Sequence, residues 1–219
     1  MIISHKKKFI FVHIYKTAGT SIMRQLLPFA RPIEKFSFYY PSRYGISLIN
    51  RTLGLHKYGN AWINGVHKHA TVIEANEYLG DEIFNEYYKF AFVRNPYDWL
   101  VSLYFYIRQD KWHNEFNKVN AMSFEAFVLE RIKNNMPRQK DFLIGQKYGA
   151  LIVDYVGKIE TIDSSYQYIC DKLGIKYVKP SNLNQSKRQK SYHQYYNDEL
   201  TLAVQEYFND DFETFNYDK

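Results

Sequence analysis

The chain has 219 residues, 46% of them apolar, and 21 Tyr and 16 Phe make it unusually aromatic. That length suits one α/β domain with a full core and argues against two. A net charge of +6 favours an acidic ligand or polyanionic partner, while a single cysteine, Cys170, excludes an internal disulfide and a Cys-rich metal site. The opening MIISHKKKFIFVHIYK sets basic residues before an apolar run, as a signal peptide does. That run is too short, and His13 interrupts it. No stretch approaches transmembrane length. The expectation is a mature chain that begins at Met1, makes no stable membrane insertion and resides in the cytoplasm.

Residues 8–14 read as a buried strand, aromatic and β-branched, with turn chemistry after it. From Gly19 to about Leu27 the apolar residues Ile22, Met23, Leu26 and Leu27 fall at helical spacing, and Pro28 discourages continuation. Residues 31–60 lack periodicity. AWINGV (61–66) suggests a short strand, and Thr71 caps a helix over 72–79 with Glu74 at the capping-box position. YYKFAFV (87–93) is a second buried strand, ended by Arg94-Asn95-Pro96, and a helix follows over about 97–108. Residues 109–121 read as a polar loop and SFEAFVLERI (123–132) as a helix. LIVDYVGKIE (151–160) holds one or two strands, and residues 164–173 form a helix stopped by Gly174. Residues 179–191 are a basic loop, and Asn197 caps a last helix whose core face includes Leu200, Val204, Tyr207 and Phe208.

The first strand–loop–helix passage is the informative one. Tyr15-Lys16-Thr17-Ala18-Gly19-Thr20-Ser21 is poor material for a core. It suits an oxyanion: small residues let the backbone approach, hydroxyls add donors, and the helix N-terminus offers unpaired N–H groups. Lys16 adds a full charge. The nucleotide phosphate loop GxxxxGK[ST] does not fit, because here the lysine precedes the glycine and no magnesium-binding carboxylate follows on a strand. A capped helix after a strand remains the plain structural alternative.

HIYKTAGTS (13–21) resembles the HIPKTAGTS-type loop that grips the 5′-phosphosulfate in sulfotransferases using 3′-phosphoadenosine 5′-phosphosulfate (PAPS). FAFVRNPYDWLVSLYFY (90–106) resembles their second signature, FVRNPYDRLVSLY, whose Arg and Ser hold the 3′-phosphate. KHATVIEANEYLG (68–80) is similar to a KHATAKEI-like stretch of carbohydrate-type members from bacteria. LNQSKR (183–188) and DDFETFNYDK at the end also look like that family. The resemblance runs in order along nearly the whole chain. Two positions depart from it. Tyr15 stands where the family usually has proline, implying a less rigid loop, and Trp99 replaces a usual arginine, removing a surface charge but no ligand.

The resemblance implies that Lys16, Thr17, Ala18, Gly19, Thr20 and Ser21 hold the 5′-phosphosulfate and that Arg94 and Ser102 hold the 3′-phosphate. Arginine suits a terminal phosphate because its planar fork binds bidentately. By helical periodicity Ser102 sits opposite the Leu100/Leu103/Tyr104 stripe, free to face a ligand. Ser186, Lys187 and Arg188, with Asn184, are candidates to close over the 3′-phosphate. Lys16 would also neutralise charge on the leaving 5′-phosphate. A base must take the acceptor's proton; His69 is preferred, His67 is second, and both remain open to a plain loop role. His13 reads as packed against the strand. In residues 36–58, Tyr39, Tyr40, Arg43, Arg51 and His56 could form an acceptor wall suited to an acidic sugar.

The fold expected is α/β: a single domain over residues 1–219, with a mainly parallel central sheet, helices on both sides and a P-loop-like phosphosulfate-binding loop. The function expected is sulfuryl transfer from PAPS, as co-substrate and without a metal, to a carbohydrate or glycan hydroxyl. A non-catalytic protein that binds PAPS or its product stays open. So does a basic nucleic-acid binder, although no recognition motif is present. A kinase is disfavoured by the missing magnesium carboxylates.

Overall fold

The computed structural model describes residues 1–30, 62–63, 66–145, 149–180 and 191–219. The chain opens with β1 (Ile2–Ser4) and β2 (Phe9–Val12), joined through the Lys6-Lys7-Lys8 turn, and enters α1 (Gly19–Leu26). Two short strands, β3 (Trp62–Ile63) and β4 (Val66–His67), pair antiparallel and precede α2 (Val72–Leu79) and α3 (Asp81–Glu86). Then come β5 (Tyr88–Val93), α4 (Pro96–Gln109), α5 (Phe116–Asn120) and α6 (Phe124–Lys133). β6 (Tyr155–Lys158), α7 (Ile162–Leu173), α8 (Asp198–Tyr207) and α9 (Asn209–Thr214) complete the chain.

The central sheet has the order β1-β2-β5-β6. β2 pairs parallel to β5, and β5 parallel to β6, while β1 lies antiparallel on the outer edge of β2. The sheet is therefore mixed, with a parallel core of three strands. Successive side chains on a strand point to opposite faces, so FIFV and YKFAFV divide themselves in two. Ile10, Val12, Ala91 and Val93 face one core with Leu100, Phe127, Val204 and Phe212. Phe9, Phe11, Phe90 and Phe92 face the other, against Ile22 and Leu26 of α1 and Tyr166 and Ile169 of α7. Near-continuous apolar strands are what a parallel sheet covered on both faces requires.

The helix signals work as their chemistry dictates. Thr71 Oγ1 accepts from Glu74 N at 3.2 Å while Thr71 N donates to the Glu74 carboxylate at 2.7 Å, closing the capping box of α2. Asn95, Ser123 and Asn197 cap α4, α6 and α8 through side-chain oxygens. Gly174 ends α7 in the left-handed region at φ 58°. No described helix is long and apolar enough to cross a membrane.

Five elements differ from the sequence reading. β1 is held to three residues by pairing with β2, a tertiary partner that no local pattern announces. α3 follows a break at Gly80, whose φ is 77°. α5 lies inside the stretch read as a polar loop and is fixed by Val119, which is fully buried. The last helix divides at Phe208, where α8 gives way to α9. In the stretch read as one or two strands, β6 begins only at Tyr155, with Leu151 bridging to Ile144.

Gly157 in β6 has no room for a side chain, since a Cβ there would lie 2.7 Å from the Phe92 ring. Phe92 is fully buried and cannot retreat. Gly157→Ala should therefore lower unfolding free energy by about 1–3 kcal/mol through overpacking. Urea denaturation of the two proteins measures it, and an unchanged midpoint would show that the sheet yields there.

Candidate active site

β2 ends at Val12, and the chain passes through His13 and Ile14, both buried, into the turn before α1. Lys16 and Ala18 in that turn adopt φ of 65° and 55°. Left-handed backbone costs a non-glycine residue about 1–2 kcal/mol, and such turns orient successive N–H groups into an anion-sized concavity. Thr17 is buried, and its hydroxyl donates to the Ile14 carbonyl at 2.8 Å. Its side chain thus closes the turn. Ala18 at the start of α1 has no side chain to cap it with, in contrast to Thr71, Asn95, Ser123 and Asn197 at theirs. Ser21 is buried, with its N–H on the Ala18 carbonyl at 3.0 Å, and Thr20 is half-buried. A Cβ on Gly19 would fall 1.9 Å from the His13 ring, so the imidazole occupies the space that any other residue would need.

The second candidate anion ligand leaves the adjacent strand. Arg94 follows β5, and its Nη1 donates to the Lys16 carbonyl at 3.2 Å across 78 residues of sequence. Its Nε and Nη2 reach the Asp98 carboxylate at 2.6 and 2.5 Å, which orients the guanidinium from the first turn of α4. Its backbone is clasped from both sides by one amide: Arg94 N donates to Gln139 Oε1 at 2.8 Å, and Gln139 Nε2 donates to Arg94 O at 2.7 Å. Gln139 is fully buried and is held in turn by Asp211, whose carboxylate accepts from Gln139 N and Lys140 N. Glu160 accepts the N–H of Asn95 at 2.8 Å. Ser102, on α4, is only 5% exposed.

His69 sits beside the turn. Its Nδ1 lies 2.8 Å from the His13 carbonyl, and a carbonyl only accepts, so Nδ1 carries the proton. In the neutral form this fixes the tautomer whose lone pair is on Nε2, the atom a general base uses. The His13 and His69 rings lie 4.5 Å apart. Burial, then His69, the amino terminus, Lys68 and Lys16, hold His13 well below the ordinary histidine range, so it stays neutral. His67 lies on β4.

Tyr15 and Trp99, the two departures from the resembled pattern, touch each other. Their rings are 4.9 Å apart, and Trp99 Nε1 donates to the Tyr15 carbonyl at 2.6 Å. Trp99 is fully buried, which corrects the reading of position 99 as surface. The indole replaces charge with a fixed prop under the turn. Lys16 Nζ lies over the Tyr106 ring at 3.9 Å. Asn184, Ser186, Lys187, Arg188 and the aromatic-basic stretch 36–58 lie outside the described residues.

Sequence reasoning missed Gln139, Asp211 and Glu160, because each acts on backbone far away in sequence. Asp98, within the second motif, could have been found from its i,i+4 spacing to Arg94. Together the elements bring an ammonium, a guanidinium, a helix N-terminus and an imidazole to one end of β2 and β5. Such a set can hold an anion and accept a proton.

Comparison with known proteins agrees in kind. Residues 1–218 match the model of a family described as the sulfotransferase family. The chain is also 30% identical over 100 residues to an uncharacterized protein of Archaeoglobus fulgidus, a stretch that covers 44% of this chain and 76% of that relative. No solved structure matches.

Burial pushes the Asp211 carboxyl up from 3.8 to about 6, against the two backbone N–H groups that favour its charge. The fold holds this proton more tightly than the unfolded chain does, so stability falls as pH rises between those values, by about 3 kcal/mol. Asp211→Asn removes that slope. Urea unfolding at about pH 4 and pH 7 should show the variant gaining on the parent protein by roughly this amount at the higher pH; parallel behaviour would refute the assignment.

Proposed function

Because the chain belongs to the sulfotransferase family, we propose that it transfers a sulfuryl group from PAPS to a hydroxyl of a carbohydrate. The observation that supports this best is the Arg94 Nη1 to Lys16 carbonyl contact at 3.2 Å. A donor with phosphates at both ends of an adenosine needs two cationic grips within one nucleotide's reach, and this contact joins the two motifs that would supply them.

In this reading the turn from Lys16 to Ser21 acts as a P-loop-like cradle. Backbone N–H groups at the start of α1 and the Lys16 ammonium meet the 5′-phosphosulfate, as helix N-termini do for other oxyanions. Arg94, aimed by Asp98, takes the 3′-phosphate. The acceptor hydroxyl attacks sulfur as its proton passes to His69 Nε2. The bond from sulfur to the 5′-phosphate oxygen breaks, and negative charge grows on that oxygen beside Lys16. Alignment and electrostatics carry most of such a transfer, as in phosphoryl chemistry. His13 serves as packing under Gly19 and, through its carbonyl, sets the tautomer of His69.

Incubation with radiolabelled PAPS and a mixed glycan panel tests the activity directly: label should move to a sugar, and its absence from every acceptor sinks the reading. Lys16→Ala should lower kcat by about 10²–10³-fold, and turnover like that of the parent enzyme would remove Lys16 from the mechanism. His69→Ala should lower kcat by about 10²–10⁴-fold while calorimetry shows unchanged affinity for 3′-phosphoadenosine 5′-phosphate. Lost nucleotide affinity with normal turnover at saturation would make His69 a ligand and leave the base unassigned.

A further inference from the structure

A cavity of about 300 Å³ lies between α4, the turn that follows it and α6. Tyr15 forms one wall, and the others carry His113, Glu115, Arg131 and Asn134 over apolar side chains of α4. It adjoins the proposed transfer site through two aromatic rings. Tyr15 immediately precedes Lys16 and meets the His69 ring edge-on at 5.8 Å. Tyr106 carries Lys16 Nζ over its face and meets His113 edge-on at 5.9 Å.

The walls are polar and mutually neutralised. Arg131 Nη2 pairs with Glu115 Oε1 at 2.9 Å, and the guanidinium lies over Phe127 at 4.7 Å. His113 Nδ1 accepts the Glu115 N–H at 3.2 Å, so the neutral ring keeps its proton on Nε2 as a donor. Burial lowers the basicity of His113, which keeps the ring uncharged near neutral pH. Asn134 Nδ2 gives one of its two hydrogens to Glu130, and its carbonyl oxygen is an acceptor. Donors and acceptors stand together among the apolar side chains, and the Arg131 and Glu115 charges answer each other. A polyol fits such a lining, because each hydroxyl both gives and accepts. A carboxylate guest would lie beside Glu115. On the turn next to His113 stands Trp112, 79% exposed, an aromatic face held in water beside a polar cavity. The volume is at the small end of ligand pockets, enough for one ring.

We propose that this cavity, with Trp112 beside it, is the acceptor subsite and takes an uncharged sugar ring rather than an acidic one. The assignment rests on the sulfuryl-transfer reading above and names its acceptor class. It also gives Tyr15 a purpose, since the residue in the usual proline position becomes the wall shared by donor loop and acceptor pocket.

Saturation-transfer NMR with the full chain tests it, using methyl glucoside, methyl galactoside, methyl mannoside and methyl glucuronide, each with and without 3′-phosphoadenosine 5′-phosphate. At least one neutral glycoside should bind, more tightly than the glucuronide. Trp112→Ala should weaken it tenfold or more, while Leu202→Ala, a comparably exposed site on α8, should not. Glu115→Gln, which leaves the Arg131 charge unanswered, should improve glucuronide binding tenfold. A stronger glucuronide than neutral signal, no neutral binding, or indifference to both Trp112→Ala and Glu115→Gln overturns the subsite. Calorimetry with the nucleotide separates the two ideas. Nucleotide binding without glycoside binding overturns only the subsite; glycoside binding sensitive to Trp112 without nucleotide binding keeps the sugar site and overturns the donor reading.

Discussion

The parallel pairing of β2 with β5 is the constraint on which the candidate site depends. Two neighbouring strands that run the same way end on the same edge of the sheet, so the turns that leave them emerge together. One turn carries Lys16 and the other Arg94, and the guanidinium reaches the Lys16 carbonyl at 3.2 Å. Had β5 run antiparallel, the two cations would stand at opposite edges. The pairing is enforced by burial on both faces, with phenylalanines packed against α1 and α7 on one side and aliphatic residues against the remaining core on the other.

A cationic site in a fold must also be held still. Here the backbone around Arg94 is fixed by neutral and acidic groups from distant segments: Gln139 to its amide and carbonyl, Glu160 to the amide of Asn95, and Asp211 beneath Gln139. Preorganised donors act on developing charge without reorganising at the moment of reaction. Buried Gln139 and Asp211 are tolerated because each has its partners, since an unsatisfied buried polar group costs about 1–3 kcal/mol.

Close packing under the lysine turn couples residues that look independent in sequence. His13 fills the space over Gly19, which limits that position to glycine, and its carbonyl sets the proton on His69. Trp99 props the Tyr15 carbonyl, and the Tyr15 ring in turn lines the cavity behind the turn. The two departures from the resembled pattern form one contact, so each makes physical sense in the presence of the other.

The sequence by itself determined the elements whose signals are local. The buried strands, the capping box at Thr71 and Glu74, the cap at Asn197 and the stop at Gly174 depend on neighbours within a few residues, and they stand where the pattern puts them. The lysine-first small-residue turn and the Arg-Asn-Pro strand end were legible for the same reason, and residues 1–218 match the family whose motifs they resemble. Only the tertiary structure decided that β1 pairs on the edge, that α5 forms around buried Val119, that Trp99 is interior, and that Gln139 and Asp211 serve Arg94. These depend on contacts between segments tens of residues apart, and the free energy of such a contact exists only once the sheet has brought the segments together.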